Sequence, residues 1–474
     1  MKKDKSIKGR WWIDGPDKPP LPGVLDASAG GFRLSVWVPQ DCTPEDVFLS
    51  ISTQPQEVSN IIIGADGGNN PVTLFGCGVI GHGSSAGLRS LTIHVSAVLK
   101  GQKVKSWREP FVRSVKIKPA YLHRWFERKL LVSVKTVDDK TALTFEEHLD
   151  LLFPVEDGVK IRFSDGFSSS VTLDEEKFTA DSQIWFHFEE LQSLATIENR
   201  WVPWVRRLFG LFYGVPAKIE EVEVFTNDPF VPAGGIGIHE SRGILMRHGM
   251  EMSEEDNDHA PDMVNMVVPY GLVQDKLGNI VVEWNRMCKT QEPVVSLFGA
   301  VVLHESLYLE ARFLFLVQAL EIYHVFSGNF SSVETPRSEH KRLIKEAQDK
   351  LPDEVWEWAK GKLSYNARPL SKKLLDIFTA HKEACERLFG DLERAASQIT
   401  KTRNQLTHHS DHEKPNLLIP EDELGGVSWK LEALLWAILL REIGIDGSPI
   451  ERIVRRAADI RLISLDASSE SPAP

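Results

Sequence analysis

Two periodicities divide the chain. Between residues 31 and 137 apolar positions alternate with polar ones, or run in short β-branched stretches, at 32–38, 47–51, 58–63, 91–99, 111–117 and 130–137. A period of two sends successive side chains to opposite faces, so each stretch predicts a strand. The Gly-, Asn- and Ser-rich breaks between them predict antiparallel connections. More strands are predicted at 159–163, 182–188 and 219–225. Residues 227–261 are polar, glycine-rich and dotted with His and Met, which reads as a long exposed loop. Within it Met246, His248, Met250 and Met252 offer an adaptable surface for a trigger protein.

After about residue 264 the apolar spacing changes to three and four. Leu303, Leu307, Leu309, Phe313, Leu314, Val317, Leu320, Ile322 and Val325 mark one helix of about six turns, with no proline before Pro336. Further helices are predicted at 338–351, 354–362, 371–388, 390–408, 421–443 and 448–462. The last has Ser448 as N-cap and Pro449 at the first helical position. The expected fold is α+β and multidomain: a β-rich antiparallel domain over residues 1–270, an all-α bundle over 271–465 and a disordered tail over 466–474.

Composition narrows the function classes. With 474 residues, 42% hydrophobic and 26% charged, the chain has a globular make-up. A net charge of −12 excludes a protein that coats nucleic acid over its whole surface and leaves room for a local site. The longest apolar run, 294–303, is too short for a bilayer, and the first residues lack the apolar run of a signal peptide. A cytoplasmic protein with no membrane contact is expected. Cys42, Cys77, Cys288 and Cys385 stand at least 35 residues apart, which forms no CxxC knuckle and fits reduced thiols. The glycine-rich segments 64–71 and 81–87 read as loops and lack the Gly-Lys-Ser/Thr of a phosphate loop.

One motif carries chemistry. The fifth predicted helix ends in Ile399-Thr400-Lys401-Thr402-Arg403-Asn404-Gln405-Leu406-Thr407-His408-His409. On a helix, Asn404 and His408 at i, i+4 share a face and the long Arg403 side chain reaches round to them. Such a trio suits metal-independent RNA cleavage: an imidazole moves a proton, a guanidinium stabilises phosphorane charge and an amide orients either. The other Arg-x4-His pair, Arg89 and His94, lies in a strand-like run that sends the two side chains to opposite faces.

The Arg403-Asn404-x-x-x-His408 signature resembles the catalytic motif of the HEPN superfamily. The stretch Ile280 to Trp284, then Pro293 to Phe298, then Tyr308 to His324, resembles the opening of ApeA-like HEPN proteins. The resemblance spans roughly residues 275–465 motif by motif and rests on architecture before that. It implies a β-rich N-terminal domain fused to a HEPN endoribonuclease bundle. It also implies a homodimer that sets two motifs face to face, and cleavage of host RNA, notably tRNA, in defence against phage. Arg403, Asn404 and His408 would be the catalytic set. No cofactor and no metal is expected. The partners would be RNA, a second copy of the chain and a phage-derived trigger at the N-terminal domain. Glu321 and His409 take supporting roles, Glu321 because a carboxylate facing the bundle interior needs a cation such as Arg403. The rival reading is a non-catalytic binding or dimerisation protein with a degenerate HEPN module.

Three other features compete for function. His408, His409, Asp411 and His412 could ligate a metal, against the simpler reading of a histidine-rich loop. Residues 100–135 hold 11 Lys/Arg and two acids among aromatics, either a nucleic-acid stripe or a solvated strand face. Residues 198–213 are amphipathic, for a membrane or partner or, more simply, for core packing.

Overall fold

The computed structural model describes residues 6–13, 19–28, 31–38, 61–85, 88–126, 131–137, 140–145, 149–165, 167–171, 176–180, 182–227, 242–247, 266–303, 307–364, 366–408 and 418–466. Its strands are β1 (Ile7–Trp12), β2 (Leu21–Ser28), β3 (Gly31–Val38), β4 (Ile62–Asp66), β5 (Pro71–Phe75), β6 (Gly78–Ser85), β7 (Leu88–Val95), β8 (Ala97–Lys100) and β9 (Pro110–Pro119). They continue with β10 (Leu131–Val137), β11 (Lys140–Phe145), β12 (Asp150–Glu156), β13 (Val159–Ser164), β14 (Phe167–Val171), β15 (Glu176–Ala180), β16 (Gln183–Ser193), β17 (Ile219–Phe225) and β18 (Arg242–Arg247). Among the described residues fourteen strands form one sheet, ordered β12-β13-β16-β9-β17-β18-β8-β5-β4-β1-β2-β3-β7-β6, and β10-β11 and β14-β15 are separate two-stranded sheets.

The chain divides into two compact units, Met1–Phe209 with Ala217–Gln274, and Gly210–Pro216 with Asp275–Pro474. In the first, alternation does what a period of two requires. Phe32, Leu34, Val36 and Val38 of β3 are buried. They meet Val95, Ile93, Leu91 and Arg89 of β7 across an antiparallel register. Trp11, Leu25, Ile62, Val72, Leu74 and Val98 complete that core. A one-residue slip would turn this whole set to the opposite face.

Where the strand predictions fail, long-range pairing is the reason. The predicted strand 91–99 is two, β7 and β8, broken at Ser96, whose N–H donates to Phe75 O at 2.9 Å. After the break the chain leaves β3 and β6 and pairs with β5 and β18. Residues 81–85, predicted as loop, belong to β6, an edge strand tolerant of glycine because only one neighbour packs on it, and 86–87 lie outside the described residues. The predicted loop 227–261 contains β18, which bridges β17 and β8 and joins the two halves of the large sheet. Met246 on β18 packs against the core, which removes it from the proposed trigger surface, while residues 248–265 lie outside the described residues. Of the predicted loop 64–71, residues 64–66 end β4, 71 opens β5 and only 67–70 form the turn between them, where Asp66 Oδ1 accepts from Gly68 N at 2.9 Å and Asn70 N at 2.8 Å. That carboxylate occupies the amides a phosphate would need.

Residues 198–213 pack as core. Ser193 Oγ accepts from Thr196 N at 3.1 Å at the start of a helical stretch. It runs through a π turn, Ile197–Trp201, into α1 (Val202–Tyr213). Trp201 lies 4.6 Å from Phe186 and Trp204 meets Phe186 edge-on at 5.5 Å. These rings are buried and present no face to a membrane.

The second unit is all-helical: α2 (Leu277–Thr290), α3 (Glu292–Leu303), α4 (Leu309–Phe326), α5 (Arg337–Lys350), α6 (Asp353–Leu363), α7 (Leu370–Ala380), α8 (Lys382–Phe389), α9 (Leu392–His408), α10 (Leu424–Glu442) and α11 (Ser448–Asp466). The six-turn helix predicted from Leu303 begins later, since Leu303 closes α3 and α4 starts at Leu309. The predicted helix 371–388 breaks at His381 into α7 and α8. Helix α10 is the axis of the bundle, buried continuously from Leu431 to Leu440, and packs on α4 and α11. Its one buried carboxylate, Glu432, accepts from Arg312 Nε of α4 at 3.1 Å; burial pushes its pKa up and Arg312 draws it back.

Candidate active site on helix α9

Helix α9 buries Ala396, Ile399 and Thr402, a stripe spaced by three that sets it on α7 and α4. The next residues, Arg403 and Asn404, are half-buried, and His408 is the exposed last residue of the helix. Near that end the orphan carbonyls are met locally. Thr407 Oγ1 donates to Arg403 O at 2.9 Å, and its distance to Asn404 O is 3.3 Å. The chain then returns over the helix, with Ile419 N donating to Thr402 Oγ1 at 2.9 Å.

Arg403 and Asn404 touch: Nη1 donates to Asn404 Oδ1 at 3.2 Å. The other arm, Nη2, lies 3.9 Å from Glu321 Oε2 on α4, within ion-pair range and beyond a hydrogen bond. Glu321 is 28% exposed, so it lines the edge of the bundle rather than its interior. His408 lies one helical turn beyond Asn404 on the same face and has no hydrogen-bond or ion-pair partner among the described residues. His409, Asp411 and His412 lie outside the described residues, and among those described no group of His, Cys, Asp and Glu is arranged to hold a metal.

Four neighbours of this cluster went unread in the sequence. Lys373 Nζ on α7 donates to Glu321 Oε1 at 2.8 Å. One turn further along both helices, fully buried His324 Nε2 lies 2.9 Å from Asp376 Oδ2, and Arg368 Nη2 donates to Asp376 Oδ1 at 2.6 Å. Burial holds His324 below its ordinary pKa against the pull of Asp376, and the ring stacks on Phe330 at 4.8 Å. Glu321 and His324, like Lys373 and Asp376, are three apart, and that i, i+3 spacing of polar residues on two apolar helices is the signal that could have paired them.

The other candidates carry no such cluster among the described residues. Arg89 and His94 stand on β7, as their strand pattern predicts. In the basic stripe, Lys116 is buried against Glu223 at 2.8 Å, Lys118 lies 3.6 Å from Glu220, and Trp125 and Phe126 are core rings.

A second α-helical half bearing this helix follows a wholly antiparallel first half, and the comparisons match both. The chain matches ApeA N-terminal domain 1 over residues 6–284, more than half its length, and Apea-like HEPN over residues 314–448. It belongs to the ApeA-like HEPN proteins. Comparison with curated proteins and with solved structures finds no match. HEPN domains are generally ribonucleases that often bind RNA and dimerise, and membership makes this a HEPN nuclease-type defence protein. Glu321, Lys373 and Arg403, on helices α4, α7 and α9, fall within the HEPN match. No described helix is long and apolar enough to cross a membrane.

Proposed function

We propose that this protein is a metal-independent endoribonuclease that cleaves host RNA, tRNA by family resemblance, to abort phage infection. The observation that carries the reading is Arg403 on the last turns of α9, hydrogen-bonded to Asn404 and 3.9 Å from Glu321 of α4, with His408 exposed one turn on. The 2′-hydroxyl of the target ribose attacks the adjacent phosphorus and the 5′-oxygen leaves, giving a 2′,3′-cyclic phosphate and a 5′-hydroxyl. His408 moves the proton of one of these oxygens, Arg403 faces the phosphorane, and Asn404 fixes the guanidinium. Two chains pair through the bundle so that two motifs face one substrate. The domain over residues 1–270 senses the trigger and restrains the nuclease at 271–465, a shift of population between an idle and an active arrangement.

The test incubates purified protein with total cellular RNA in EDTA, with and without extract from infected cells, and maps the ends. Wild type should leave 2′,3′-cyclic ends. Arg403→Ala and His408→Ala should each lose roughly a hundredfold or more of the rate while melting as wild type does. Equal cleavage by either variant would overturn the assignment, and no cleavage by wild type under any condition would favour a binding module.

A further inference from the structure

We infer that Lys373 is a positioning residue of the nuclease, which holds the Glu321 carboxylate off Arg403 and so keeps the guanidinium open to phosphate. The inference rests on the nuclease reading of α9 and adds to it a residue from a different helix. Glu321 stands between two cations and has chosen one: its Oε1 accepts from Lys373 Nζ at 2.8 Å, a full hydrogen bond, while Arg403 Nη2 lies 3.9 Å from Oε2. Among the described residues Arg403 therefore spends one donor on Asn404 and keeps the rest of its five N–H groups. The exposures agree with this division. Lys373 is 13% exposed and sits beneath, whereas Arg403 is 33% exposed and opens outward. With two cations and one carboxylate the cluster carries a net single positive charge, which matches one phosphodiester.

Without Lys373 the half-buried carboxylate needs another cation, and Arg403 is the one within reach. A guanidinium and a carboxylate prefer the two-bond fork, which would take the donors a phosphate would use. A Lys373→Met variant should keep its fold, because the His324–Asp376 pair one turn away still clamps α4 to α7.

The experiment combines a crystal structure of Lys373→Met with cleavage assays of wild type, Arg403→Ala, Lys373→Met, Lys373→Arg and Lys373→Met/Glu321→Gln. The crystal structure should show Glu321 within hydrogen-bond distance of Arg403. Cleavage by Lys373→Met should fall roughly tenfold or more at an unchanged melting temperature. Lys373→Arg should retain activity, and removing the carboxylate as well, in the double variant, should restore most of it; a merely structural clamp would be damaged further by the second change. A carboxylate that does not move to Arg403, wild-type cleavage by Lys373→Met, or no recovery in the double variant would each overturn the inference. If Arg403→Ala cleaves as wild type does, the nuclease reading fails instead, and the Glu321–Arg403 distance still decides what Lys373 holds.

Discussion

Lys116, Glu223, Glu221 and Arg242 form a four-charge cluster drawn from three strands, β9, β17 and β18. Glu223 is 2% exposed; burial pushes its pKa up, but hydrogen bonds with Glu221, Arg242 and Lys116 outweigh that and hold it below its ordinary value. Glu221 takes the proton instead, pushed up to about 7 by burial and by its bond to Glu223, against the pull of Lys116 and Arg242. Between the ordinary glutamate range and pH 7 the folded chain thus binds a proton that the unfolded chain has released. The contribution to stability is complete at acid pH and is lost as the pH rises through 7. Glu221→Gln, which keeps a neutral side chain at every pH, should flatten that decline, with a gain on the order of 1 kcal/mol over wild type at pH 8 after screening at a part-exposed site. Melting curves from pH 4.5 to 8.5 check it; parallel wild-type and variant profiles would contradict it. None of this was legible in the sequence, where Lys116 counts only as part of a basic stripe. The Arg403-Asn404 pair was legible, because helical spacing is local, whereas Lys373 reaches Glu321 from 52 positions away.

At the scale of elements, the close approach of β1 and β4 depends on glycine at Gly64 as well as Gly9. Trp11 pairs in register with Gly64, and a Cβ built there would stand 2.2 Å from the Trp11 ring. Gly64→Ala should destabilise the first unit by about 1–3 kcal/mol through overpacking, read as a lower chemical-denaturation midpoint, and an unchanged midpoint would mean the indole has room to move. The same register explains which elements could be read in advance. Strands β3 and β17, with clean alternation, fall where the pattern puts them, at Gly31–Val38 and Ile219–Phe225. Strand β18 was missed because its backbone partners, β17 and β8, impose an extended conformation on a glycine-bearing segment with weak alternation. Helix α10 was legible as a long apolar element, but its place at the centre of the bundle follows from neighbours on both sides.

At the scale of the whole molecule, charge limits how RNA can be held. The net charge is −12 and Lys116 and Lys118 of β9 pair with glutamates, so on the nuclease reading attraction to RNA is local to the HEPN bundle. On the nuclease reading, binding of a single-stranded oligonucleotide should weaken with salt with a logarithmic slope of only about −0.7 to −1.5, one or two phosphates at the single-strand value. A much steeper slope in a filter-binding series would require an extended basic surface and would return residues 100–135 or the undescribed segments to consideration. The sequence by itself determined the two-part α+β organisation and the Arg-Asn-x3-His motif at a helix end. Both are written in periodicities of two and three to four, which the backbone imposes on any chain of neighbours. Tertiary structure alone decided that fourteen strands among the described residues form one sheet, that Lys116 of the basic stripe pairs with Glu223 and that Lys373 stands behind Glu321. Those outcomes depend on which distant residues meet, and pairing between distant segments leaves no periodic trace in a single chain.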